Sequence, residues 1–318
     1  MNLKKPKFWD LKKPNLTAYL LLPLTIILRM SNFFLNLTNK KKFKDIRTIC
    51  IGNIYLGGTG KTPTTLKIYK IMKELNFNVV TAKKFHSNQL DEAEMLKNKS
   101  VFISLKDRIE IVKISLNKKY DAVIFDDGLQ EKFLNYDLKF VCFDAKKWIG
   151  NGFLIPSGPL RENIASLKKY DGIFLKNTCK NHDLTEIYSR IKKINPKIEI
   201  FNTFVEILNI KNFNLDKNYL IFSGIGNSES FKETLKENKF RVIEELVYPD
   251  HYKYKNKDIT EILYKAKKIN AQIVTTEKDY IKIKGNIKEN IDFVEIEFKI
   301  DNEEKLKKFI ISKINETN

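Results

Sequence analysis

One stretch of this chain narrows its fold more than any other: GNIYLGGTGKTP at residues 52–63. The apolar run ICIGNI leads into it. Residues 62–77 follow it, with Ile68, Ile71, Met72 and Leu75 at i, i+3, i+4 and i+7 on one face of a helix. A strand feeding a glycine-rich turn that opens a helix is the setting of a phosphate-binding loop. Gly57, Gly58 and Gly60 let the backbone turn its N–H groups inward without a Cβ clash. The helix start adds a favourable dipole for phosphate oxygens. Tyr55, Leu56 and Thr59 complete the loop; Lys61 is placed to reach the β- and γ-phosphates, and the Thr62 hydroxyl to ligate Mg²⁺. Pro63 lies just inside the helix, where its missing N–H costs nothing. The usual spacing, G-x-x-x-x-G-K-[ST], wants glycine where this chain has Tyr55.

From Arg47 onward, strand-like apolar runs alternate with amphipathic stretches. NVVTA, DAVIF (121–125), KFVCFD (139–144) and DGIFL (171–175) read as strands, and 108–116 as a short helix. This alternation predicts an α/β fold, a mostly parallel sheet with helices on both faces. A second set begins near residue 200. IEIFNTFVEI reads as a connecting ribbon, followed by YLIFSGIG, a helix at 228–237, RVIEELVYP, a helix at 259–269, AQIVTTEKD and DFVEIEF, a smaller α/β lobe.

A Mg²⁺ carboxylate belongs at the end of an apolar strand beside the loop. DAVIFDDGLQ (121–130) supplies Asp126 and Asp127, one to hold the ion directly or through water and the other to orient it. Alone, Asp-Asp-Gly would be a plain strand-to-turn corner; with the phosphate loop it gains a function. His251 follows Pro249-Asp250 in a turn, where a histidine beside a carboxylate suits proton transfer. His86 offers the same chemistry, and His182, in KNHD, reads as a solvent loop. GIGN (224–227) reads as a tight turn, and TTEKD (275–279) misses the spacing of a guanine-reading motif.

The formal net charge of +19 suits an anionic partner: nucleic acid, a membrane surface or a phosphorylated substrate. The excess is lysine spread along the whole chain, so compositional drift and a functional basic face both account for it. Aromatic residues are not interleaved with arginine in any basic stripe, which argues against nucleic acid. Cys50, Cys142 and Cys179 are odd in number and lack C-x-x-C spacing, so no disulfide framework or zinc site is expected. Near the N-terminus, the apolar run 16–28 contains Pro23 and falls short of the roughly 20 residues that span a bilayer. Lysines precede it, Phe8 and Trp9 flank it, and Arg29 interrupts it before Phe33, Phe34 and Leu35. That pattern fits a helix lying in a membrane interface, the alternative being a buried first helix.

Taken together, GNIYLGGTGKTP (52–63), DDGLQ (126–130), NGFLIPSGPLRE (151–162), FSGIGNSESF (222–231), YPDHYKY (248–254) and VTTEKD (274–279) resemble the tetraacyldisaccharide 4′-kinases of lipid A synthesis. The motifs occur in the family's order. The family's loop likewise lacks the first glycine, in line with Tyr55. The resemblance implies transfer of the γ-phosphate of MgATP to the 4′-hydroxyl of a tetraacylated glucosamine disaccharide 1-phosphate, at the cytoplasmic face of the bacterial inner membrane. It implies Asp91, within QLDEAEML and beside Glu92, acting near the acceptor hydroxyl with His251. It also implies Asp127 as Mg²⁺ ligand, Gln130 in its surround, and Arg161 and Glu162 lining the cleft. The chain departs at TAKKFHSNQLDE, where the family has a Ser/Thr-Arg-Gly-Tyr-Gly segment and a Gly and Pro flanking Asp-Glu.

The expected organisation is a membrane-associated segment at 1–40, a P-loop kinase core at 41–200 and a smaller lobe at 201–318. The expected partners are the acylated disaccharide lipid and the membrane surface, with no nucleic acid and no obligate protein partner. Two other classes compete: another membrane-associated P-loop NTPase, and a nucleotide-regulated binding module without kinase activity. The failed guanine motif weighs against a GTPase of the first kind, and the apolar N-terminus against a P-loop enzyme that acts on a soluble substrate. The retained Lys61, Thr62, Asp126 and Asp127 weigh against the second.

Overall fold

A computed structural model describes residues 5–35, 39–86, 90–177 and 183–316. Cys179 and His182 lie outside the described residues. The apolar N-terminal run is not one helix. It breaks at Leu21 into α1 (Leu16–Leu20) and α2 (Leu22–Leu35), with Asn15 capping the first through its side chain. Leu21 closes α1 by donating its N–H to Thr17, and Pro23, which has no N–H to give, stands in the first turn of α2.

The chain then builds β1 (Arg47–Gly52), α3 (Lys61–Glu74), β2 (Val79–Lys84), α4 (Leu90–Lys99), β3 (Phe102–Leu105), α5 (Arg108–Asn117), β4 (Ala122–Asp126), β5 (Leu138–Asp144), β6 (Gly172–Lys176), α6 (Thr185–Ile194) and β7 (Glu199–Ile207). Pairing puts these strands in the order β7-β6-β5-β1-β4-β2-β3, every neighbouring pair parallel. β1, β4 and β6 are almost wholly buried, as strands covered on both faces must be, and so they read as unbroken apolar runs. Ile68, Ile71 and Met72 pack from α3 against Ile49, Ile51 and Ile124 of the sheet. Cys50 and Cys142 are buried free thiols on β1 and β5, and burial pushes the Cys142 thiol up to about 12.

A second sheet is made by β8 (Asn218–Ser223), β9 (Arg241–Val247), β10 (Gln272–Thr276) and β11 (Asp292–Val294), in the order β11-β10-β8-β9 and again all parallel. Three helices lie between its strands: α7 (Ser228–Glu237), α8 (Asn256–Lys268) and α9 (Glu277–Ile281). Tyr219, Phe231, Leu235 and Phe240 form the core on one side, and Leu220, Phe222, Ile259 and Ile262 on the other. DFVEIEF, expected as one strand, is two. β11 ends at Val294, and β12 (Ile296–Ile300) joins the larger sheet beside β7. The break has a local cause: the Asn209 side chain accepts the Glu295 N–H at 2.9 Å, while the Glu295 carbonyl accepts from Leu208 at 2.8 Å. The chain ends in α10 (Glu303–Asn315), whose Leu306, Ile310 and Ile314 complete the larger sheet's core.

By contacts the chain forms two compact units. Of the described residues, one takes those within 5–86, 96–204 and 300–316, and the other those within 90–95 and 205–299.

Candidate active site

In the larger unit, β1 delivers the chain into the glycine loop and α3 receives it. Gly60 caps α3 with φ 85°, in the left-handed region, and Gly57 has φ 142°. Buried Asn53 ties the loop together: its amide donates to the carbonyls of Tyr55 at 2.6 Å and Gly57 at 3.1 Å, and to the Thr59 hydroxyl at 3.1 Å. Gly58 is the exposed crest of the loop, with Leu56 and Gly57 half-buried beside it. Tyr55, the departure from the usual pattern, does not turn toward a phosphate position. It pairs with Leu160 in an antiparallel bridge, while Leu56 N–H donates to Pro159 at 2.8 Å and Arg161 N–H to Ile54 at 2.7 Å. Its ring joins the core, and its hydroxyl bonds Asp10 and Lys5 of the N-terminal segment. The first half of the loop is therefore tied to residues 159–161 by one isolated bridge and two backbone hydrogen bonds, and Tyr55 does not stand in the left-handed region that calls for glycine.

Lys61 and Thr62 open α3 toward two carboxylates. Asp126, at the end of β4, is fully buried, and its Oδ2 accepts from Thr62 Oγ1 at 2.9 Å and from Lys83 Nζ at 2.9 Å. Thr65 lies 3.4 Å from the other oxygen. Asp127 follows with φ 58°. Asn76, Lys119, Lys239 and Asn270 share that left-handed geometry, but they stand just past helix ends, where it is usual. Asp127 ends a strand instead, and the bend turns its carboxylate to Arg161 at 2.9 Å and Lys61 at 3.9 Å. Gln130 bridges onward, donating to the Asn53 carbonyl at 3.1 Å and to Glu162 at 2.7 Å, and accepting from Arg161 at 3.3 Å. Tyr170 also donates to Glu162, at 2.9 Å. So Lys61, Thr62, Asp126, Asp127, Gln130, Arg161 and Glu162, dispersed over about a hundred residues, meet in one polar network.

Two basic members of this network escaped the sequence reading. Lys83, on β2, is buried against Asp126. Arg108, opening α5, donates to the Asp127 carbonyl at 2.7 Å and to Glu131 at 2.7 Å. The available signals were a lysine following the apolar run NVVTA and an arginine in a chain whose basic residues are mostly lysine.

The smaller unit holds Asp91 and His251. Asp91 is in the first turn of α4, and His251 is in the turn after β9 with φ 59°. His251 Nδ1 lies 3.0 and 3.2 Å from the two Asp91 oxygens. Burial pushes the Asp91 carboxyl up, but the His251 hydrogen bond and the ammonium groups of Lys278 and Lys282 outweigh it and hold the group down at about 2. An ionised carboxylate only accepts, so Nδ1 carries a proton, and in the neutral ring the lone pair would then stand on Nε2. His86, by contrast, is exposed in the larger unit. GIGN proves structural: Gly224 N–H donates to buried Asp279 at 3.0 Å, and the Gly224 carbonyl accepts from His251 N–H at 3.1 Å. The TTEKD lysine, Lys278, contacts Asp91 at 3.5 Å.

Residues 17–315 match the family described as LpxK, tetraacyldisaccharide-1-P 4′-kinase. The chain is 46% identical to the tetraacyldisaccharide 4′-kinase of Pelagibacter ubique, with 100% of both chains covered. It is 31% identical to that of Rickettsia akari over 98% of each. The fold matches the crystal structure of LpxK from Aquifex aeolicus in complex with ATP at a TM-score of 0.66 and 21% identity, covering 93% of this chain and 99% of that one. A family match along nearly the whole length, joined to a relative identical at almost half its positions, establishes that this chain belongs to the tetraacyldisaccharide 4′-kinase family.

Proposed function

We propose that this chain, as the tetraacyldisaccharide 4′-kinase of lipid A synthesis, moves the γ-phosphate of ATP to the 4′-hydroxyl of a tetraacylated glucosamine disaccharide 1-phosphate. The observation that carries the proton-transfer step is the His251–Asp91 contact at 3.0 Å. Phosphoryl transfer is mainly alignment and charge stabilisation, and the acceptor hydroxyl must lose its proton. His251 Nε2 takes that proton as the hydroxyl oxygen bonds to the γ-phosphorus and the bond to the bridging oxygen breaks, leaving ADP. Ionised Asp91 orients the ring and balances the imidazolium that forms. The donor-side residues belong to the larger unit, and His251 and Asp91 to the smaller.

On the donor side, Lys61 and the loop N–H groups hold the phosphates, and Arg161 stands ready beside Asp127. Thr62, Asp126, Asp127 and Glu162 offer only oxygen donors, the kind Mg²⁺ prefers, so the residues present suit that ion. Asp126 already accepts from Thr62 and Lys83, so it acts through Thr62, while Thr62 and Asp127 would hold the metal directly. When bound, the ion neutralises charge on the β- and γ-phosphates.

The acceptor is a lipid, and α1 and α2 suit its surface. Leu16, Leu20, Leu24 and Ile27 face outward at 48–75% exposure, while Ala18 and Thr25 face the protein. An apolar face turned to solvent calls for another cover, and a membrane interface supplies it. Among the described residues no helix is long and apolar enough to cross a membrane. The reading is tested by transfer of labelled γ-phosphate from ATP to the purified lipid in detergent. Label is expected in the lipid with wild type and not with Lys61→Ala. ATP binding without any transfer by wild type would refute the assigned acceptor.

A further inference from the structure

His251 stands among three carboxylates. Its Nδ1 is 3.0 Å from Asp91, and its Nε2 is 3.8 Å from both Glu92 and Asp250. Three negative charges at such distances favour the protonated ring. A ring already protonated cannot accept a proton from a hydroxyl. The fold places a counterweight there. Lys278 Nζ lies 3.3 Å from Glu92, 3.3 Å from Asp250 and 3.5 Å from Asp91, so it touches the same three carboxylates that face the histidine.

A second ammonium group supports it. Lys282 reaches Asp91 Oδ2 at 3.5 Å and is pinned by Asp279 at 2.8 Å. Asp279 is itself buried and held by Gly224 N–H at 3.0 Å and the Thr276 hydroxyl at 2.7 Å. Lys278 and Lys282 are four residues apart, the spacing that puts side chains on one side of a helical turn. Both are largely buried, which fixes their positions and weakens screening. Neither lysine contacts the imidazole within ion-pair distance; each acts on the carboxylates around it. VTTEKD, unused as a guanine reader, thereby acquires a task.

We propose that Lys278 is a positioning residue that sets the charge state of His251: it draws the field of Asp91, Glu92 and Asp250 away from the ring, while Lys282 fixes the second oxygen of Asp91, so that Nε2 stays unprotonated to receive the acceptor's proton. The proposal rests on His251 being the proton acceptor. It gives this lysine a role in kcat near neutral pH and none in ATP binding.

The test follows kcat/KM against pH and, independently of activity, the ring nitrogens of His251 by ¹⁵N NMR. The chain has only three histidines, so His251 is assignable by its loss in His251→Gln. Lys278→Met is expected to move the acid limb of kcat/KM and the ring titration to higher pH by roughly half a unit to one unit. KM for ATP should hold. Lys278→Arg should behave as wild type, and Glu92→Gln should move both readouts the opposite way. The double variant Lys278→Met/Glu92→Gln should return them toward wild type. Loss of activity at every pH with an unmoved ring titration would reduce Lys278 to a structural part and overturn the proposal. If Lys278→Met does not fold, Glu92→Gln decides alone, and an unmoved titration there overturns it too. Failure of the underlying reading would look different: His251→Ala would keep wild-type kcat whatever Lys278 does.

Discussion

Asp126 and Asp127 are adjacent, yet their surroundings give them different work. Asp126 is fully buried with a lysine and a threonine on one oxygen. Asp126→Asn removes the carboxylate that Lys83 Nζ meets at 2.9 Å, and breaking such a buried pair costs about 3–5 kcal/mol. Denaturant unfolding is expected to show that loss. Asp127 stands at φ 58°, so Asp127→Ala should cost less, about the 1–2 kcal/mol that an alanine meets in that conformation. It should instead remove Mg²⁺-dependent turnover, and unchanged activity would sink its role as a ligand. Asp91 makes a pH prediction. Its carboxyl is held down at about 2, from an ordinary 3.8. A lowered folded-state value stabilises above the unfolded value, so the contribution is complete above about pH 4 and lost as pH falls toward 2. By linkage it amounts to roughly 2 kcal/mol. Acid unfolding of Asp91→Asn should lack that component of the slope.

Among the elements, α1 and α2 invert the usual rule, with small residues inward and large apolar ones outward. Their anchoring is specific: Thr25 Oγ1 meets Ser157 Oγ at 2.7 Å, and buried Trp9 donates to the Pro156 carbonyl at 3.0 Å. Replacing Leu20, Leu24 and Ile27 with Glu should leave these anchors intact and weaken binding to anionic vesicles by at least about a hundredfold, since each buried side chain of this size contributes about 1.5–3 kcal/mol. Undiminished partition in a flotation assay would refute the interfacial reading. At α3 the helix begins at Lys61 and rests on a left-handed Gly60. Gly60→Ala meets the roughly 1–2 kcal/mol cost of that conformation for an L-residue. The loop would distort with it, so KM for ATP should rise.

For the whole molecule, the end of the chain is a structural part of the larger unit. Phe140 and Phe174 of the sheet, with Ile310 and Ile314 of α10, belong to one buried cluster. Lys67 of α3 and Glu303 of α10 pair at 2.6 Å. A protein ending at Lys299 uncovers that cluster and should aggregate when expressed. Phe140→Ala within the full chain should be soluble and destabilised by about 3–5 kcal/mol. Soluble, cooperative unfolding by the truncated protein would show that the core closes without α10.

By itself the sequence determined the parallel α/β class, the glycine loop and the carboxylate pair at the end of β4. Each is written in contiguous residues: an apolar run with a period, glycines at turn positions, Lys-Thr opening a helix, Asp-Asp closing a strand. Resemblance added Asp91 to His251, which its turn beside Asp250 had already marked, and the fold joins the two across 160 positions of chain. For Lys83, Arg108 and Lys278 no local pattern assigns a role, since a basic side chain is ordinarily solvated. Only the folded chain surrounds them with carboxylates. The break at Glu295 was likewise invisible, because it depends on an asparagine 86 residues away taking a backbone N–H. Periodicity reports which face of an element is buried; which charges meet there is decided by strand order and by helices whose contacts are distant in sequence.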